Sequence, residues 1–91
     1  MSEKEINVRS YLNVIIEQDK IFLQKLGIRI SELRKLQNLT KVQLAFEINT
    51  SESNIRRIEK GQINAGIITL NKIAEVLNVS LSELVQIDEI H

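Results

Sequence analysis

Apolar residues recur along this chain at spacings of three and four, and no stretch alternates in the manner of a strand. The pattern predicts helices from end to end. Val8, Tyr11, Leu12, Ile15 and Ile16 form the first stripe, in a helix started by Ser2 and Glu5 at capping-box spacing and running to about Glu17. Leu26, Ile30 and Leu33 predict a second helix, from about Lys20 to Gln37. A third opens at Thr40, where Gln43 completes another capping box and Leu39 and Leu44 stand at hydrophobic-staple spacing. The fourth follows Ser51, turns Ile55 and Ile58 inward, and meets Gly61 at its end. Leu70, Ile73, Ala74 and Leu77 mark a fifth, from near Ile67 to near Asn78. Ser80 with Glu83, stapled by Val79 and Leu84, opens a short last helix. Proline is absent, and Gly27, Gly61 and Gly66 leave little scope for tight hairpins.

The stretch from Thr40 to Gly61, TKVQLAFEINTSESNIRRIEKG, carries most of the functional information. Two short helices set at a steep angle across a brief turn form a helix-turn-helix, whose second helix is free to lie in a DNA major groove. The formal net charge of zero looks wrong for that purpose until it is divided along the chain. Residues 20–61 hold nine Lys/Arg against Glu32, Glu47, Glu52 and Glu59, whereas the segments on either side are net acidic. Phosphate contacts draw on local positive charge, so the surplus lies where it is needed. The acidic flanks weaken non-specific binding and make affinity depend on a correct site.

Other chemistries find little support. The chain lacks cysteine, which removes disulfides and thiol catalysis, and its lone histidine is the last residue, His91. There is no glycine-rich phosphate loop, no catalytic spacing, and no set of residues that calls for a cofactor or metal. No apolar run approaches the roughly 18 residues of a membrane span. A soluble cytoplasmic protein of one domain is expected.

The segments LGIRISELR at 26–34, LTKVQLA at 39–45, SESNIRRIEKG at 51–61 and TLNKIAEVLNVSLSEL at 69–84 together resemble the Cro/C1-type, or XRE-type, helix-turn-helix family. The resemblance covers residues 26–85. It implies an all-α fold, a small helical bundle of the lambda-repressor-like type, here with an extra N-terminal helix over residues 1–21 ahead of a domain over 22–91. The departures are small. Asn49 stands where the family usually has glycine, and asparagine is the next-best residue for a left-handed backbone. Lys41 replaces a common glutamine, and Ala65 a common proline.

The resemblance assigns base contacts to Glu52, Ser53 and Arg57, with Asn54 beside them. The chemistry matches: Arg57 can fork onto guanine, Asn54 can pair with adenine, and Glu52 can accept from cytosine. Glu52 also suits the first turn of its helix for a purely structural reason, the macrodipole. Arg56 stays near the outer face of the same helix and joins the phosphate-binding set. Thr40, Lys41 and Gln43 open the preceding helix, whose free N–H groups favour a phosphate. Lys60, Gln62 and Asn64 match the family's phosphate-contacting loop, although Asn64 equally suits a loop-bracing hydrogen bond. For Arg34 and Glu59 the resemblance implies a structural ion pair, not DNA contact.

The N-terminal stripe is too apolar for a solvated tail. It covers either its own domain or a second subunit. Function favours a homodimer, because a two-fold pair doubles the base contacts and matches a palindromic operator. Ile63, Ile67 and Ile68 form another candidate contact surface. Double-stranded DNA is the expected partner and transcriptional repression the expected role. A restriction–modification controller or an antitoxin would use the same binding mode, and an interaction module recognising an unknown protein is the rival reading.

Overall fold

The computed structural model describes residues 3–87, with side chains from Val8 onward except that of Ile15. The expected Ser2–Glu5 cap and His91 lie outside the described residues. Five helices follow in order: α1 Glu3–Leu36, α2 Lys41–Glu47, α3 Glu52–Glu59, α4 Ile67–Val76 and α5 Leu81–Leu84. No strand occurs among the described residues.

The first two expected helices are one. α1 runs unbroken for 34 residues through the polar stretch Glu17–Lys20, where the apolar stripe thins and the pattern had implied a boundary. That stretch holds no proline or glycine. Glutamate, glutamine and lysine are good helix formers, and Glu17 and Lys20 face each other at 3.7 Å on the solvent side. At 1.5 Å per residue α1 is about 50 Å long. It sets the 54 Å long axis of the molecule.

Only the second half of α1 belongs to the core. Leu26 and Ile30 are buried from α1, Leu44, Ala45 and Ile48 from α2 and its C-cap, and Ile55 and Ile58 from α3. Leu70, Ile73, Ala74 and Leu77 come from α4 and its C-cap, and Leu84 from α5. These twelve residues form a single cluster. Val8, Tyr11, Leu12 and Ile16, further up α1, are exposed.

The caps explain where the helices start and stop. Thr40 Oγ1 accepts from Gln43 N at 3.0 Å while Gln43 Oε1 accepts from Thr40 N at 2.8 Å, a complete capping box. Ser80 and Glu83 repeat it at the same two distances. Ser51 Oγ accepts from Asn54 N at the head of α3. Four helices end alike, with a residue at positive φ followed by a bond from the next N–H to a carbonyl five residues back. The residues are Asn38, Asn49 and Asn78 behind α1, α2 and α4, and Gly61 behind α3. The bonds run from Leu39 to Arg34, Thr50 to Ala45, Gln62 to Arg57 and Val79 to Ala74.

Gly27 fixes how closely α1 and α3 approach. A Cβ there would meet the backbone carbonyl oxygens of Ile58 and Glu59, which cannot swing away as a flexible side chain can. Gly61 brings the loop after α3 equally near α1, against the backbone of Leu23 and Gln24.

Candidate nucleic-acid interface

α3 turns Ile55 and Ile58 into the core, so its remaining side chains must leave on the other side. Glu52 and Arg57 are exposed, and Ser53, Asn54 and Arg56 are half-buried. The four expected base-reading residues thus share the first turns and outer face of one helix. Their freedom differs. Arg57 makes no side-chain hydrogen bond or ion pair among the described residues, which leaves its whole donor fork available. Glu52 accepts from Arg56 at 2.9 Å across one helical turn, a solvent-exposed pair that a nucleic acid can rearrange at small cost. Asn54 donates one amide hydrogen to Thr50 Oγ1 at 3.0 Å. Its second amide hydrogen and its carbonyl oxygen remain, enough for the two bonds that adenine offers.

The expected phosphate-binding residues fall in two groups. Thr40, Lys41 and Gln43 stand at the head of α2, with Lys41 half-buried and the other two exposed. The capping box uses the Thr40 oxygen as acceptor and the Gln43 carbonyl oxygen, leaving the Thr40 hydroxyl proton and the Gln43 amide to donate outward. Lys60 caps the C-terminus of α3, and Gln62 and Asn64 follow in the loop, all three exposed. Among the described residues the Asn64 side chain makes no hydrogen bond. Arg56 belongs with Glu52 on the flank of α3.

Behind this face lies a buried ion pair. Arg34 Nε donates to Glu59 Oε2 at 2.7 Å and its Nη2 donates to Glu59 Oε1 at 3.1 Å, a two-pronged contact between α1 and α3. Arg34 Nη1 donates to the Leu39 carbonyl at 2.8 Å, so the same guanidinium also holds the turn that leads into α2. Both side chains are more than 90% buried. With Gly27 beneath it, the pair sets the position of α3 relative to α1. Gly27 is the positioning residue that pattern reading passed over, because a small residue on a buried stripe leaves no mark in periodicity.

At the far side, Arg29 Nε donates to the Glu83 carbonyl at 3.0 Å and ties α1 to α5. The Ser80 backbone N–H, then the Ser80 hydroxyl and the nearby Arg29 charge, hold the Glu83 carboxyl below the usual carboxylate range. No group of residues suited to a metal ion occurs among the described residues. No helix there is long and apolar enough to cross a membrane.

Five helices with α2 and α3 joined by a left-handed asparagine turn define a helix-turn-helix protein. The chain belongs to the HTH_3 helix-turn-helix family, whose model matches residues 30–84. This is a family of DNA-binding transcriptional regulators and not of enzymes. An immunity repressor protein of Bacillus phage phi105 is 39% identical over 59 residues, which are 65% of this chain and 41% of the phage protein. The match therefore spans less than half of that relative. Among solved structures, the restriction–modification controller protein C.AhdI from Aeromonas hydrophila superposes with a TM-score of 0.69 at 32% identity. The match covers 71% of this chain and 94% of the controller. An HTH_3 family transcriptional regulator from Vibrio cholerae gives a TM-score of 0.66 at 30% identity, over 72% of this chain and 37% of that one.

Proposed function

We propose that this chain is a sequence-specific transcriptional repressor that binds a palindromic operator as a homodimer and places α3 in the major groove. One observation carries the reading. The side chains left outside by the burial of Ile55 and Ile58 are those able to read base edges, and Arg57 among them has its donors unengaged by any described residue. Glu52, Ser53, Asn54 and Arg57 read the bases. Thr40, Lys41, Gln43, Arg56, Lys60, Gln62 and Asn64 hold phosphates and set the register. Arg34 and Glu59 keep α3 in place and touch no DNA. The protein works in the cytoplasm, where its operator is.

A second reading is favoured by the match over nearly the full length of the Aeromonas controller. The chain would then govern a restriction–modification system by the same binding mode, and the genes beside its own separate the two roles. Selection of bound sites from a random DNA pool tests the core of the proposal. The expected result is a palindrome whose half-sites lie one helical turn apart. Failure to enrich any sequence would leave the fold to a protein-interaction role.

A further inference from the structure

The stripe that buries Leu26 and Ile30 does not stop where the core stops. Val8, Leu12, Asp19, Phe22, Leu26 and Ile30 follow one another at steps of three, four or seven, so they share a face of α1. Below Leu23 that face leaves the body of the domain. Val8, Leu12 and Phe22 are 55%, 51% and 40% exposed, and of these three only Phe22 lines a cleft against the body of the domain among the described residues. Where the overhang meets the body, a cleft of about 290 Å³ opens between Asp19, Phe22 and Leu23 on one wall and Asn64, Leu70 and Val85 on the other.

We infer that this face receives the same segment of a second copy, antiparallel, with the two-fold axis near residue 15. The inference rests on the homodimer reading and says which surface makes the dimer. Three observations favour this occupant. The first is charge: Asp19 lies on the apolar stripe, and parallel pairing would set it against its own copy within the seam. Antiparallel pairing about residue 15 separates the two Asp19 side chains by eight residues, about 12 Å of helix, and sets Val8 against the partner's Phe22. The second is area. Residues 8–22 span only about 21 Å of helix, too little alone for the roughly 800 Å² per partner of a stable interface. The cleft lies where the partner's first helical turns arrive, so the contact extends onto the body. The third is spacing. α3 crosses α1 at Gly27, twelve residues from the axis, which puts the two crossings about 36 Å apart along the pair. Operator half-sites require 34–36 Å.

The chain has no cysteine, so introduced thiols are clean probes of this register. Val8→Cys and Phe22→Cys should each stay unlinked alone on mild oxidation, while a mixture of the two variants gives a covalent dimer. Leu12→Asp should raise the dimer dissociation constant by about tenfold or more in sedimentation, with a melting temperature unchanged at concentrations too low for the dimer. A covalent dimer of Val8→Cys with itself would mean parallel pairing and overturn the inference. An unlinked mixture would overturn it too. If the unlinked chain still sediments as a dimer, another face makes the homodimer and only this surface is lost. If it is monomeric, this surface serves a foreign partner or none, and the homodimer fails with it. Selection of DNA sites by the same variants reports on the reading helix independently of either result.

Discussion

On the proposed reading, single side chains divide into those that read DNA and those that hold the reader. Arg57 is exposed and unengaged by any described residue, so Arg57→Ala should leave the melting temperature within a degree or so and weaken operator binding by about 1–3 kcal/mol. It should also relax one operator position in a binding-site selection. Unchanged affinity and preference would remove Arg57 from the reading set. Lys41 and Lys60 should behave otherwise. Alanine at either should lower affinity for all sequences alike and reduce the salt slope by about one, since the proposal assigns each a single phosphate. Glu59 stands at the opposite pole. Glu59→Gln leaves the Arg34 guanidinium buried without its counter-charge, and should cost about 3–5 kcal/mol in denaturant unfolding. The outward placement of the α3 motif residues was legible because the spacing of Ile55 and Ile58 fixes which side of that helix is buried. Gly27 was not, since its importance lies in the carbonyls of α3 that pass over it, and no single sequence displays that crossing.

At the scale of elements, the helix starts were easier to read than the first helix's length. Thr40, Ser51 and Ser80 each cap the helix expected of them, because capping is a contact between residues three apart. The division of α1 into two was wrong for a related reason. Polar residues interrupting an apolar stripe do not by themselves end a helix: burial stops near Leu23, and α1 runs on past that point with its apolar residues exposed. The helix ends follow a rule visible only in part: Asn49 was recognisable in the turn, while Asn38 and Asn78 perform the same task at α1 and α4 without a motif to flag them. An alanine at Asn49 must hold the same left-handed backbone, which costs about 1 kcal/mol and should appear as a lowered denaturation midpoint. Acid should act on α5. The carboxyl of Glu83 is depressed in the folded chain, so its contribution is present above the ordinary carboxylate range and is lost as pH falls through the depressed value. The advantage of the native chain over Glu83→Gln in thermal melts should therefore shrink on acidification. An advantage that grew in acid would contradict the assignment.

For the whole molecule, the separation of α1 into a buried half and an overhanging half makes folding and assembly independent. Every buried apolar residue among those described lies between Leu26 and Leu84, so the described part of the overhang contributes little to the core. Removing residues 1–18 should leave a cooperative domain whose melting temperature at low concentration is close to that of the full chain. Dimerisation should disappear, and with it the coupling between half-sites. A bound dimer gains contacts from two half-sites at once, whereas a truncated monomer must bind each as a separate event. The expected readout is an operator titration that changes from one cooperative step to two independent ones, while affinity for a single half-site stays as it was. Those two measurements separate the roles of the helix's two ends. A truncated chain that melts much lower would place the overhang in the fold after all. One that still occupies both half-sites in a single step would place the dimer contact elsewhere, with exposed Ile67 and Ile68 at the head of α4 the next surface to substitute.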